Sequence, residues 1–322
     1  MSLETIYEPI REDMARVEEE LRSVYGDSPY WLSELLEHSL GNTGKRVRPA
    51  LVFLSGSFAN CDRTRLLPMA VAVEVLHTAT LVHDDAIDKS AMRRGKATVY
   101  QLWGQDKAVL LGDYLLAQSE ELAALTENIS VVKTFAGTIK TIAGSEIRQS
   151  LDAFNLEQTR ENYLERISGK TASLLCLATR SGAILSGAER GMVEALDGYA
   201  RNLGMAFQII DDVLDFVGDE ADMGKPVGSD LAEGTLTLPA MLLLKHHPDS
   251  NPVRNLFEGS GDPAQNVGEA IEMFRNSSLV EECYRIARKY YEICLGNLGV
   301  LPENAARRSL EELAGYVIAR RK

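Results

Sequence analysis

The sequence predicts an all-α protein, a helical bundle around a central cavity, and three observations carry the helical prediction. No proline occurs between Pro68 and Pro226. Across that stretch the apolar residues recur at spacings of three and four rather than two, the period of a helix buried on one side. No segment shows convincing strand alternation, and no internal repeat stands out beyond a pair of aspartate clusters. With 322 residues, 45% of them apolar and 25% charged, the chain can bury a large core and reads as one domain over 1–322.

Ile6, Ile10, Met14, Val17 and Leu21 trace one face of a first helix, which Gly26-Asp27-Ser28-Pro29 ends. Tyr30 to Leu40 forms a second helix, followed by a loop at Gly41 to Gly44. Pro49 falls in the first turn of a third helix that runs to about Ala59, a position where proline is tolerated. A long apolar helix begins near Arg65 and carries the first aspartate cluster at its end. Met92 to Lys96 follows as a basic turn. Further helices cover roughly 107–125, 131–153, 159–167, 171–186 and 190–217, and the last carries the second cluster. Asp219 to Gly234, rich in glycine and charge, reads as a mobile loop, and four or five helices follow Leu236.

A net charge of −13 argues against nucleic acid or an anionic membrane surface as the main partner, though not against a small anionic substrate. The four cysteines, Cys61, Cys176, Cys283 and Cys294, lack CxxC spacing and read as idle thiols of a reducing compartment. The first residues do not resemble a signal peptide, and no uncharged apolar run reaches the length of a membrane span. The expectation is a cytoplasmic protein without an integral membrane segment.

The first cluster is Asp84, Asp85 and Asp88, and the second is Asp211, Asp212 and Asp215. Each places aspartates at i, i+1 and i+4 after an apolar run. In a helix the first and last stack one turn apart, and the middle one points about 100° round. Such carboxylates repel one another, and a divalent cation removes that penalty. Oxygen ligands suit Mg²⁺, which takes one or two carboxylates plus substrate phosphates. Six of the eighteen aspartates stand in these two clusters, so the pair is a far more specific signal than either copy.

Basic residues cluster nearby in sequence. Lys45, Arg46 and Arg48 stand at a helix start, where side chains and free N–H groups together suit an anion. Arg93 and Arg94 follow Asp88, and they could equally be salt-bridge partners of the aspartates or grips for phosphate oxygens. His77 lies two turns before Asp84 on the same face. Lys170 and Thr171 begin a predicted helix, Gln208 precedes the second cluster by one turn, and Lys225 sits in the following loop. Carboxylates for a metal, cations for phosphate and apolar walls suit a reaction in which a diphosphate leaves a hydrocarbon. There is no Ser/His/Asp arrangement and no Walker-type glycine loop.

These segments together resemble the trans-prenyl diphosphate synthases of the polyprenyl synthetase family. The resemblance rests on GKRVRP (44–49), LVHDDAIDKSAMRRGKAT (81–98), LLGDYLLA (110–117), GKTASL (169–174), FQIIDDVLDF (207–216) and GKPVGSDLAEG (224–234), in family order. It implies an all-α isoprenoid-synthase fold, a homodimer, Mg²⁺ and head-to-tail addition of isopentenyl diphosphate to an allylic diphosphate. It makes Asp84, Asp88 and Asp211 direct metal ligands, with Asp85, Asp212 and Asp215 behind them. It gives Lys45, Arg48, His77 and Arg94 to isopentenyl diphosphate and Arg93, Lys170 and Lys225 to the allylic diphosphate. Thr171 and Gln208 fall beside the developing cation. Thr235 stands where many relatives have a lysine, which removes one possible diphosphate contact.

The residues four, five and eight before Asp84 are Thr80, Ala79 and Leu76, which line the path of a growing chain along the helix, at about 5.4 Å per turn. Short-chain relatives resemble one another in carrying a bulky aromatic at the first or second of these positions. The small residues here predict a product longer than geranylgeranyl diphosphate. The competing expectations are a geranylgeranyl or farnesyl diphosphate synthase, a cyclase of the same fold, and a non-catalytic partner subunit.

Overall fold

The computed structural model describes residues 2–41, 44–93, 95–218, 226–249 and 251–319. The described residues are predominantly helical, as expected. The helices are α1 (Leu3–Ile6), α2 (Arg11–Gly26), α3 (Tyr30–Leu40), α4 (Val47–Gly56), α5 (Arg63–Ile87), α6 (Val99–Trp103), α7 (Gln105–Ala124), α8 (Ile129–Leu151), α9 (Arg160–Ile167), α10 (Ser173–Leu185) and α11 (Arg190–Val217). They continue with α12 (Ser229–Ala232), α13 (Leu238–His246), α14 (Pro252–Phe257), α15 (Pro263–Arg275), α16 (Leu279–Asn297) and α17 (Ala305–Ile318). Among the described residues the only strands are β1 (Met92–Arg93) and β2 (Lys96–Ala97), an antiparallel hairpin where the sequence suggested a basic turn.

The chain divides into two compact units. The first comprises residues 1–139, 174–200 and 297–313, and the second comprises 140–173, 201–296 and 314–322. The boundaries after 139 and 200 fall inside α8 and α11.

In the first unit the predicted opening helix is broken. Pro9 replaces its middle with a 3₁₀ turn at Glu8–Ile10, although Ile6, Ile10, Val17 and Leu21 still turn inward. Asp13 is buried as well, and Arg63 Nε donates to its Oδ1 at 2.6 Å. That pair ties α2 to the first turn of α5, whose N-terminus is capped by Asp62 through the Thr64 N–H. Helix α5 is apolar on nearly every face because α2, α3, α4, α6 and α7 all pack on it. By length and composition it could cross a membrane, but 72% of its most apolar window is buried inside the protein, as befits a core helix. Gly182 of α10 lets that helix approach α4: an added Cβ would lie 2.1 Å from the Val52 carbonyl oxygen.

The core of the second unit gathers Tyr163, Ile209, Val213, Phe216, Phe274 and Cys283. Phe216 and Phe274 meet edge to face with ring centroids 5.2 Å apart. Predicted helices over 159–167 and 171–186 are joined. The chain passes from α9 to α10 through a π-helical turn, Ser168–Ala172, so Lys170 does not begin a helix but sits on a local widening of the helical path. Cys176, Cys283 and Cys294 are buried, Cys61 is half-buried, and all four are free thiols.

Candidate functional site

In the first unit the aspartate cluster closes α5, with Asp88 as its C-cap residue. The three carboxylates have different surroundings. Asp84 is half-buried, Asp88 is exposed and Asp85 is buried. The β1–β2 hairpin explains how a buried aspartate is tolerated. It turns the chain back so that Arg93 Nε donates to Asp85 Oδ1 at 2.7 Å. Burial pushes the Asp85 carboxyl up from the usual range, the Arg93 charge and hydrogen bond pull it back, and Asp88 adds to the rise. Arg93 is therefore an ion-pair partner of the cluster. Its position beside the aspartates still leaves it 38% exposed and able to meet an anion.

His83 turns toward α7. Its Nε2 lies 3.1 Å from the Val109 carbonyl oxygen and 3.3 Å from Asp113 Oδ1. Gly112 makes room for the ring, since a Cβ there would stand 2.2 Å from it. The Gly-Asp pair inside LLGDYLLA is thus a seat for the histidine that precedes the first cluster, a role that sequence reasoning missed. A glycine in the middle of an apolar helix was the available signal.

The basic run at 45–48 does not act as one patch. Arg46 adopts the left-handed conformation at φ 46° and is buried. It donates to Glu18 at 2.6 Å and to Glu74 of α5 at 2.8 Å, and so neutralises the one acid in the middle of that helix. Lys45 is exposed and Arg48 is half-buried. His77 is half-buried on α5. Leu76 and Ala79 are 1% exposed and Thr80 is half-buried, its hydroxyl bonded to the His77 carbonyl at 2.8 Å. Arg94 and Lys225 lie outside the described residues.

In the second unit the cluster lies within the last two turns of α11. Asp211 is half-buried, Asp212 is 2% exposed and Asp215 is 1% exposed. Asp212 Oδ2 accepts the Tyr163 hydroxyl at 2.7 Å and its Oδ1 accepts Gln208 Nε2 at 2.9 Å. Burial pushes the Asp212 carboxyl up to about 7, the Asp230 charge adds to the rise, and the Gln208 and Tyr163 hydrogen bonds oppose it. Asp215 accepts the Ser229 hydroxyl at 3.1 Å and the Asp230 N–H at 3.3 Å, and so organises the segment that contains α12. Thr171, on the π-helical turn, donates to Gln208 Oε1 at 2.6 Å. Lys170, one residue earlier, is 2.7 Å from Glu146 of α8. Tyr163, Glu146, Ser229 and Asp230 were not legible as site residues, because each gains its role only from the packing of helices distant in sequence.

The three aspartates that the resemblance makes direct ligands are thus half-buried or exposed, and the three it sets behind them are buried. The donors are carboxylate oxygens without thiolate, which suits a hard cation such as Mg²⁺. Among the described residues no group of three or more His, Cys, Asp or Glu side chains is placed to hold a metal ion by itself, and Mg²⁺ completed by substrate phosphates needs only one or two carboxylates.

The sequence profile of the polyprenyl synthetases matches residues 29–274. The chain is 38% identical over 327 aligned residues to a chloroplastic solanesyl-diphosphate synthase 2 of Oryza sativa subsp. japonica, covering 99% of this chain and 80% of that one. Its fold matches a heptaprenyl diphosphate synthase from Staphylococcus aureus with a TM-score of 0.91 at 36% identity, over 97% of this chain and 98% of that one. It also matches a polyprenyl synthase from Caulobacter crescentus, solved with calcium and isoprenyl diphosphate, with a TM-score of 0.93 at 32% identity, over 100% and 98% of the two chains.

Proposed function

We propose the function that follows from a plain premise: the chain belongs to the polyprenyl synthetase family. It is a prenyl diphosphate synthase that adds isopentenyl diphosphate head-to-tail to an allylic diphosphate, releases diphosphate, and makes a product longer than geranylgeranyl diphosphate. The observation that carries this reading is the shared design of the two clusters. Each holds its second carboxylate buried on protein donors and leaves its first half-buried at the helix surface.

In this reading Asp84, Asp88 and Asp211 are the Mg²⁺ ligands, and Asp85, Asp212 and Asp215 orient them. When bound, Mg²⁺ supplies positive charge that stabilises the departing diphosphate. Lys45, Arg48, His77 and Arg94 bind isopentenyl diphosphate. Arg93, Lys170 and Lys225 bind the allylic diphosphate, with Glu146 holding Lys170 in place. Thr171 and Gln208 stand beside the allylic cation as it forms. Residues 1–322 act as one synthase domain, and the working protein is a cytoplasmic homodimer. The long-chain names of the rice and Staphylococcus relatives support the product length, as do the small residues Ala79 and Thr80. The calcium and isoprenyl diphosphate in the Caulobacter relative support a divalent cation beside a prenyl diphosphate.

The test is turnover by the purified chain alone. With Mg²⁺, isopentenyl diphosphate and an allylic primer, it should release one diphosphate for each isopentenyl unit consumed, and a chelator should stop the reaction. No consumption of isopentenyl diphosphate with any allylic primer would overturn the proposal and favour a subunit that needs a partner.

A further inference from the structure

Four side chains of the second unit form one hydrogen-bonded line. Tyr163 donates to Asp212 at 2.7 Å, Gln208 Nε2 donates to Asp212 at 2.9 Å, and Thr171 donates to Gln208 Oε1 at 2.6 Å. The geometry sets the order of donors along it: Gln208 presents its NH₂ to Asp212 and turns its oxygen to Thr171. A threonine hydroxyl has a single hydrogen, and here that hydrogen is committed to Gln208. Lone pairs are what Thr171 retains for any other neighbour.

Tyr163 anchors the far end. It is fully buried, Arg166 lies over its ring 5.6 Å from the centroid, and its hydroxyl ends on the Asp212 oxygen that Gln208 leaves vacant. Burial and the neighbouring Asp212 hold the phenol well above its ordinary pKa, so it stays a donor. The functional reading above uses Thr171 and Gln208 and gives Tyr163 no part.

We propose that Tyr163 is a positioning residue: by holding the Asp212 carboxyl in place it sets, through Gln208, the direction of the Thr171 hydroxyl, so that Thr171 presents oxygen rather than hydrogen to positive charge. This rests on the reading that Thr171 stands beside a developing allylic cation. A free hydroxyl rotates to suit its neighbours. One locked with its oxygen outward stabilises the cation without reorganising as charge appears.

The experiment is a double-mutant cycle in the full chain with Tyr163→Phe and Thr171→Val, singly and together. Tyr163→Phe keeps the ring and is expected to lower kcat about tenfold, the worth of one hydrogen bond to a charged group, with KM for both diphosphates changed less than about twofold. In the Thr171→Val background the same change should lower kcat by less than about twofold, because no hydroxyl remains to be oriented. Equal losses in the two backgrounds overturn the proposal, and so does a loss confined to KM. Thermal unfolding of the same four proteins runs the cycle without any need for activity. Shifts smaller in combination than in sum support the line, and strictly additive shifts overturn it. A wild-type chain that consumes no isopentenyl diphosphate fails the functional reading instead, and the unfolding cycle then still decides whether Tyr163 and Thr171 are coupled.

Discussion

The two aspartate clusters share a sequence spacing and solve the cost of a buried carboxylate in different ways. At the end of α5, Asp85 is held by a cation, because the β1–β2 hairpin brings Arg93 back to it. Near the end of α11, Asp212 is held by the neutral donors Tyr163 and Gln208. The last aspartate differs too. Asp88 is exposed at a helix cap, whereas Asp215 is 1% exposed and bonded to Ser229 and the Asp230 N–H. The difference teaches that one spacing can serve two supports. The first cluster holds its buried member on a cation and is exposed at its end, and the second is built into the core of its unit, with Asp211 its least buried member.

The largest expected effect falls on the positions the clusters have in common. Asp84→Asn and Asp211→Asn should each lower kcat/KM by roughly 10²–10³-fold, the order seen when one group stabilising developing charge is removed. Steady-state kinetics checks this, and a loss at only one of the two would break the parallel. The helices leading into the clusters sharpen it in another way. One turn ahead stands Thr80 in α5 and Phe207 in α11, and Ala79 adjoins Thr80 in the core. Ala79→Phe should shorten the product as sized by mass spectrometry, and an unchanged length would sink the reading of α5 as the wall of a growing chain.

Stability separates the two supports. Asp212→Asn sets an amide NH₂ against a buried donor and should cost about 2 kcal/mol in denaturant unfolding. Gly112→Ala should cost about 1–3 kcal/mol by driving a Cβ into the His83 ring, unless the ring leaves its seat beside Val109. Asp85→Asn should cost less than about 1 kcal/mol, because the lost partner, Arg93, is 38% exposed and screened by solvent. Equal losses at Asp85 and Asp212 would erase the distinction between the clusters.

The helical class and most helix positions were legible because helical period and the long gap without proline are local signals. α11 begins and ends where the pattern placed it, at Arg190 and Val217. What was not legible depended on partners distant in sequence. Arg46 looked like part of a basic patch until Glu18 and Glu74 claimed it. Pro9 was overlooked because the apolar spacing on either side continues through the 3₁₀ turn. The π-helical turn at Ser168–Ala172 read as a gap between helices, since glycine and lysine there give no apolar mark. The aspartates were plain in the sequence, but the unequal burial of neighbours such as Asp84 and Asp85 is a product of packing.

The most direct measurement sizes the products of the purified protein with Mg²⁺, isopentenyl diphosphate and farnesyl diphosphate by mass spectrometry. A ladder that passes geranylgeranyl diphosphate and ends in one longer species is the predicted result. Products that stop at or below geranylgeranyl diphosphate would contradict the chain-length reading, and no elongation with any allylic primer would contradict the prenyl transfer itself.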